Sequence, residues 1–285
     1  MICFPNAKIN IGLNIVEKRS DGFHNIESGM YPLTGIVHDT LEIIASPRLT
    51  PPLSTGEGER TIKLFSSGTT IPGNENENLC VKAYDLIKKN YSVPPIKIYL
   101  HKAIPIGAGL GGGSADAAFF IRLLNDTFEL GISWGEMHHY ARQLGSDCSF
   151  FISNKPSFAE GKGDELESIK LNLSNYFIAL IYPNVHINTA KAYSGVRPKK
   201  PVRSLENDLQ QLPIEKWKDN IHNDFEDSIF PEFPELKKIK EKLYSLGAVY
   251  ASMSGSGSAM YGIFKKVPGI KKDFGNYSYR EGKLT

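Results

Sequence analysis

Apolar and polar residues alternate strictly over residues 7–15, close to the start of the chain. The apolar positions are Ala7, Ile9, Ile11, Leu13 and Ile15, and the polar positions between them are Lys8, Asn10, Gly12 and Asn14. A period of two residues predicts a half-buried β-strand. An Asp-Gly pair in RSDGFH (19–24) marks a turn, and MYPLTGIV (30–37) and DTLEIIA (39–45) predict further strands.

The next part of the chain predicts loops, a helix and a glycine-rich turn. Residues 46–78 are rich in Pro, Gly, Ser, Thr and Asn, which favours loops with one short strand at TIKLF. Apolar residues at helical spacing predict a helix over 79–89, and IKIYLH (96–101) predicts a strand. The glycine-rich turn then leads into a helix that Ser114 is expected to cap. A second helix is predicted from the capping box at Ser133 to Gly145.

Past residue 155 the pattern changes. FIALIYP (177–183) is a continuous apolar run, typical of a buried central strand. Residues 205–245 predict helices with breaks at Pro231 and Pro234, and AVYASM and AMYGIF predict a last pair of strands. Strands and helices mix without strict alternation, so the predicted class is α+β rather than a doubly wound sheet.

Length, charge and cysteine usage narrow the class of protein. The 285 residues favour two domains, which we place at 1–157 and 158–285. A formal net charge of +2 does not favour a nucleic-acid partner. The three cysteines lack zinc-ligand spacing, which favours a reduced, cytoplasmic protein. We find no apolar run of membrane-spanning length, no secretory signal and no evidence of an obligate protein partner.

The glycine-rich turn is the strongest chemical signal, since five of the seven residues 107–113 are glycine. Backbone N–H groups in such a turn can approach a ligand closely, and the helix that follows favours an anion, so a phosphate site is predicted. Residues 107–112 satisfy G-x-G-x-x-G, but four residues separate them from the preceding strand, unlike a dinucleotide-binding turn. Neither a Walker A lysine nor the protein-kinase signatures accompany it.

The segment PIGAGLGGGSADAA, from Pro105, resembles the phosphate loop of the GHMP kinases. The resemblance implies that this segment binds ATP through Pro105, Ile106, Gly107, Ala108, Gly109, Leu110, Gly111, Gly112, Gly113, Ser114 and Ala115. Ala115 stands where the GHMP kinases usually have a second serine, so a hydroxyl role near Mg²⁺ would fall to Ser114 alone.

Further segments resemble one family of GHMP kinases, the 4-diphosphocytidyl-2-C-methyl-D-erythritol kinases. In order, they are PNAKINIGLNI, DGFH, ENLCVKA, GSDCSFF, FAEGKGDEL, YPNVHINTAKAY and MSGSGSAMYGIF. The resemblance covers about residues 5–265, with Ser146, Cys148 and Ser149 departing from it. It implies a ribosomal-protein-S5-like N-terminal domain, a ferredoxin-like C-terminal domain, and ATP-dependent, Mg²⁺-assisted phosphorylation of the substrate's 2-hydroxyl. That reaction is a step of the non-mevalonate route to isoprenoid precursors, and the substrate carries a cytidine diphosphate moiety.

The same resemblance assigns roles to individual residues. Asp147 would accept the hydroxyl proton, and Lys8 would stabilise the transferring charge beside it. In the substrate site, His24 would read the cytosine edge. The other residues implied there are Asn10, Phe23, Thr189, Tyr193, Gly255, Ser256 and Gly257, and those implied near adenine and ribose are Asn78 and Lys102.

Three other functions stay open on the sequence alone. One is another small-molecule GHMP kinase, although DGFH and Tyr193 suit a substrate that carries a base. Another is a catalytically silent nucleotide-binding regulator, although Lys8 and Asp147 are both present. The last is a dinucleotide-dependent oxidoreductase, based on the G-x-G-x-x-G match.

Overall fold

A computed structural model describes residues 1–45 and 61–285 of the chain. The strands are β1 (Ile2–Cys3), β2 (Lys8–Lys18), β3 (His24–Pro32), β4 (Thr40–Ala45), β5 (Ile62–Gly68), β6 (Ile96–Lys102), β7 (Ser157–Glu160), β8 (Glu165–Ser168), β9 (Phe177–Tyr182), β10 (Tyr250–Met253), β11 (Met260–Phe264) and β12 (Ser278–Lys283). The helices are α1 (Leu79–Ile87), α2 (Gly112–Phe128), α3 (Trp134–Leu144), α4 (Cys148–Ser153), α5 (Thr189–Ser194), α6 (Leu205–Gln211), α7 (Trp217–Asn220), α8 (Phe225–Glu232) and α9 (Pro234–Ser245).

The described residues form two compact units, each built from separate stretches of chain. The first unit comprises Met1–Asn6, His38–Ile106 and Gly112–Ser153, and the second comprises Ala7–Val37, Gly107–Gly111 and Asn154–Thr285. Because each unit combines stretches from different parts of the chain, the units do not correspond to a division of the chain at one residue. The domain boundary predicted after residue 157 therefore stays a prediction. The loops predicted for 46–60 lie outside the described residues.

The first unit is one sheet with helices α1 to α4. The strand order is β1-β4-β6-β5, and β5 runs parallel to β6 whereas the other pairs are antiparallel. Local capping sets the helix bounds. Asn78 caps α1, Ser133 and Glu136 form the predicted capping box of α3, and Gly145 ends α3 as expected. The cap predicted at Ser114 is wrong, because α2 begins at Gly112 and Ser114 lies inside its first turn.

The second unit contains two four-stranded antiparallel sheets. The first sheet has the order β2-β3-β7-β8. The alternation in β2 is confirmed, but the strand is not half-buried, since Lys8 and Asn10 on its polar side are each only 3% exposed. The strand predicted over 30–37 is also wrong beyond Pro32, because the chain turns there and Gly35 adopts a φ of +74°.

The second sheet has the order β10-β11-β9-β12 and packs against α8 and α9. The interior position predicted for FIALIYP is confirmed, since β9 lies between β11 and β12. The breaks predicted at two prolines are half right. Pro234 starts α9 as expected, but Pro231 lies inside α8, one residue before that helix ends.

Antiparallel pairing with separate helical segments confirms the α+β class. Across residues 1–45 and 61–285, the helices are all too short or too polar to cross a bilayer.

Candidate active site

The glycine-rich loop has a backbone that side chains would disfavour. Gly107, Gly109 and Gly111 have φ values of +67°, +75° and +71°, in the left-handed region that glycine adopts without strain. The chain continues from Gly111 directly into α2, whose first residue is Gly112. The N-terminal turn of an α-helix presents unpaired backbone N–H groups, which suit a phosphate oxygen.

A second glycine turn, residues 255–257, packs against this loop within the second unit. The hydroxyl of Ser254 donates to the carbonyl oxygen of Gly109 at 2.8 Å, and the N–H of Ala259 donates to the carbonyl oxygen of Ala108 at 3.1 Å. A Cβ on Gly109 would lie 1.9 Å from the carbonyl oxygen of Ser254. The two glycine segments singled out in the sequence therefore lie together, at a distance that excludes any side chain.

A buried polar network connects the start of β2 to the same loop. The N–H of Lys8 donates to the carbonyl oxygen of Leu110 at 3.0 Å, and the ammonium of Lys8 donates to the Asn10 side-chain oxygen. Asn10 in turn donates through Nδ2 to Ser28 Oγ at 2.8 Å and through its N–H to Ser254 Oγ at 3.2 Å. Lys8 is thus an interior lysine held close to the glycine loop.

A cavity of about 510 Å³ opens in the second unit beside the DGFH turn. Its lining residues are Lys18, Gly22, Phe23, His24, Lys162, Thr189, Ala190, Tyr193, Ser194, Val196 and Pro198. The rings of His24 and Tyr193 stack with their centroids 4.8 Å apart, at an interplanar angle of 15°. The structure therefore brings together Phe23, His24, Thr189 and Tyr193, the residues that the sequence assigned to one base.

The charges of this cavity suit a base that carries an anionic group. Burial, and then the charge of Lys18, lowers the pKa of His24, so its imidazole is neutral near pH 7 and has one donor and one acceptor nitrogen. The ammonium of Lys162 lies 5.3 Å from the centroid of the Phe23 ring. Thr189 Oγ1 lies 3.3 Å from Ser256 Oγ, which places the second glycine turn beside the cavity.

Two further predicted residues, Asp147 and Ser114, lie in the first unit. Asp147 is half-buried and immediately precedes α4. Ser114, in the first turn of α2, forms a hydrogen bond with the thiol of Cys148, the first residue of α4. Burial raises the pKa of that thiol to about 12, so it stays protonated. The segment that carries Asp147 is thereby joined to the helix that follows the glycine loop.

Asn78 and Lys102 have structural partners in the first unit. The side chain of Asn78 accepts from the N–H of Cys80 at 2.9 Å. Lys102 is buried, and its ammonium donates to Asp39 and, at 2.6 Å, to Asp116 Oδ2. Their predicted contacts with adenine and ribose stay predictions.

A single ammonium therefore faces two buried carboxylates. Burial raises the pKa of Asp116 to about 7, with Asp39 adding to the rise and Lys102 opposing it. Asp116 Oδ1 finds no hydrogen-bond partner among the described residues, which agrees with a carboxyl group that readily keeps its proton. The carboxylate of Asp39 also accepts from the N–H groups of Ala103 and Ile104, just before the glycine loop.

Sequence reasoning missed several residues of this region. Ser28, Lys162, Asn223 and Asp39 are examples, and each gains its place through a partner distant in the chain. Lys162 lies in FAEGKGDEL, a segment that already resembled the family, so that resemblance could have pointed to Lys162 as a site residue. Ser28 offered none, because its contact with Asn10 depends on the register of β2 against β3.

Comparison with known proteins identifies the family to which this chain belongs. The family model described as "GHMP kinases N terminal domain" matches residues 78–155, and "GHMP kinases C terminal" matches residues 207–272. The chain belongs to the GHMP kinases, as the phosphate-loop motif indicated, and the enzyme class expected from the sequence is confirmed.

The relatives narrow the family further. A Bacteroides thetaiotaomicron protein named "4-diphosphocytidyl-2-C-methyl-D-erythritol kinase" is 48% identical over 265 residues, covering 93% of this chain and 92% of the relative. A Parabacteroides distasonis protein of the same name is 45% identical over 287 residues, covering all of both chains. A solved structure of 4-(cytidine 5'-diphospho)-2C-methyl-D-erythritol kinase superimposes with a TM-score of 0.75 at 26% identity, covering 99% of this chain and 98% of that one. The family resemblance read from the sequence is confirmed.

Proposed function

We propose that this chain transfers the γ-phosphoryl group of ATP to the 2-hydroxyl of 4-diphosphocytidyl-2-C-methyl-D-erythritol, in the cytoplasmic, non-mevalonate synthesis of isoprenoid precursors. The observation that carries the proposal is the His24–Tyr193 cavity beside a glycine turn. A base site next to an anion site suits a cytidine diphosphate, whereas homoserine and mevalonate have no base to bind.

The cytosine is recognised by hydrogen bonding and held by aromatic packing. A neutral His24 matches cytosine, whose edge also presents both a donor and acceptors. The rings of Phe23 and Tyr193 provide an apolar surface that can pack against any base. The imidazole of His24 therefore determines which base binds, and the aromatic rings contribute affinity. Lys18 and Lys162 complement the negative charge of the attached diphosphate.

The remaining predicted residues serve phosphoryl transfer. Main-chain groups of residues 107–114 hold the phosphates of ATP, and Asp147 accepts the proton of the attacking hydroxyl. The ammonium of Lys8 stabilises charge on the transferring group, and its hydrogen bond to Asn10 fixes its direction.

The ligands that the described residues offer suit Mg²⁺ bound together with ATP, rather than in a site made of protein side chains alone. The described residues contain no cluster of three or more His, Cys, Asp or Glu side chains that could hold a metal. Mg²⁺ usually keeps several waters and binds through one or two carboxylates plus substrate phosphates, so the hydroxyl of Ser114 would add one protein oxygen to ligands from ATP and water. Bound there, the ion would neutralise charge on the phosphates during transfer.

A coupled ADP-release assay across a panel of alcohols tests the proposal. The panel contains 4-diphosphocytidyl-2-C-methyl-D-erythritol, its uridine counterpart, mevalonate and homoserine. We expect turnover with the first compound and at least tenfold lower kcat/KM with the others. Equal or better turnover of mevalonate or homoserine would assign the chain to another branch of the GHMP kinases.

A further inference from the structure

A buried asparagine outside every predicted motif contacts the second glycine turn. Asn223 lies between α7 and α8 and is 2% exposed. Its Nδ2 donates to the carbonyl oxygen of Met253 at 2.9 Å and to that of Gly255 at 2.8 Å. Its Oδ1 accepts from the N–H of Phe225 at 3.0 Å, which fixes the orientation of the amide.

Glu226, on the first turn of α8, holds the other side of the same segment. Its Oε1 accepts from the N–H of Met253 at 2.9 Å and from the hydroxyl of Ser252 at 3.1 Å, and its Oε2 pairs with Lys240. Both backbone polar groups of Met253 are therefore bound by side chains of one short segment. The strand that leads into the glycine turn cannot rotate without breaking these bonds.

The bond to Gly255 determines where the next amide points. The peptide between Gly255 and Ser256 is planar and trans, so its C=O and N–H groups point in opposite directions. Because Asn223 binds the carbonyl oxygen, the N–H of Ser256 is directed to the opposite side of the turn. Thr189, a residue of the base cavity, lies within 3.3 Å of the Ser256 hydroxyl.

We propose that Asn223 is a positioning residue that holds the Gly255–Ser256 peptide with its N–H ready to bind a phosphate oxygen. The identity of that phosphate as part of the cytidine substrate rests on the proposed function. A phosphate of ATP has the same chemistry, and the experiment separates the two sources. Loss of one hydrogen bond to a charged oxygen corresponds to about a 10- to 100-fold loss of affinity.

Calorimetric binding of three probes to the full chain tests the proposal. The probes are cytidine diphosphate, ADP and phosphate-free cytidine, and the variants are Asn223→Ala and Asn223→Asp. We expect cytidine diphosphate to bind about 10- to 100-fold more weakly to both variants, with cytidine affinity unchanged. The matched control is Asn220→Asp, since Asn220 Nδ2 also donates to a backbone carbonyl, that of Lys216, but away from the turn.

Each outcome bears on the proposal. A loss confined to ADP would support the positioning role and assign the phosphate to ATP. Unchanged affinity for both diphosphates, or an equal loss of cytidine affinity, would overturn it. A loss in Asn223→Asp alone would also overturn it, because added negative charge would then be the cause. If Asn223→Asp does not fold, Asn223→Ala decides. If the parent chain binds neither cytidine nor cytidine diphosphate, the proposed function fails, and the ADP arm still tests Asn223.

Discussion

Replacing Gly109 with alanine tests whether the two glycine segments form the phosphate site. The new Cβ would lie 1.9 Å from the Ser254 carbonyl oxygen, where a real contact needs more than 3.0 Å, so backbone must move by over an ångström. The φ of +75° adds about 1–2 kcal/mol of strain for a residue other than glycine. Separating the segments also breaks the hydrogen bonds from Ser254 and Ala259, each of which contributes about 0.5–1.5 kcal/mol.

The backbone strain and the two lost hydrogen bonds together cost about 2–5 kcal/mol. If most of this cost destabilises the conformation that binds ATP, the affinity for ATP falls at least about 30-fold. Calorimetric titration with ATP measures the affinity, and a melting curve checks that the variant is folded. The matched control is Gly135→Ala in α3, where a Cβ meets nothing within 4 Å and φ is not positive. A folded Gly109→Ala variant that binds ATP within threefold of the parent would refute this account of the site.

Other predictions concern the reacting groups, base selection and pH dependence. We expect Asp147→Asn and Lys8→Ala to lower kcat by about 10²–10⁴-fold with little change in substrate binding, and near-normal kcat in Asp147→Asn would exclude it as the proton acceptor. His24→Ala should reduce the preference in kcat/KM for a cytidine over a uridine substrate, whereas Tyr193→Ala should weaken both equally; full retention of the preference without His24 would give DGFH a structural role. The pKa of Asp116 is raised to about 7 in the folded chain, so its contribution to stability is complete below pH 4 and is lost as pH rises through 7, by at most about 1.4 kcal/mol per pH unit. The free energy of unfolding of Asp116→Asn, measured with urea, should therefore increase relative to that of the parent as pH rises from 5 to 8. A difference between the two that does not change with pH would contradict the raised pKa of Asp116.

Features with local causes could be predicted from the sequence closely. The capping box at Ser133 and the end of α3 at Gly145 depend on residues within one or two helical turns, so their signals are complete in the sequence. The cap predicted at Ser114 was wrong, because it placed the start of α2 at residue 115, three residues too late. Neither Gly112 nor Gly113 is a residue type that marks the start of a helix, so the start of α2 at Gly112 could be seen only in the backbone of the structure.

The candidate site residues were easier to predict than the contacts that bring them together. DGFH and Tyr193 were recognised separately through a family resemblance, and the structure stacks the ring of His24 on that of Tyr193, a residue far away in the chain. Residues with no motif, such as Asn223 and Ser28, could not be found, because nothing near them in the chain indicates which group they bind.

The sequence by itself determined the α+β class, the family, the glycine-rich loop and the period of β2. Only the tertiary structure decided that the polar side of β2 is buried, that Gly109 touches the turn at Ser254, and that Lys102 faces two carboxylates. The reason is physical. Periodicity and backbone preference act between neighbours in the chain, whereas burial and the pairing of polar groups depend on contacts between residues far apart in it.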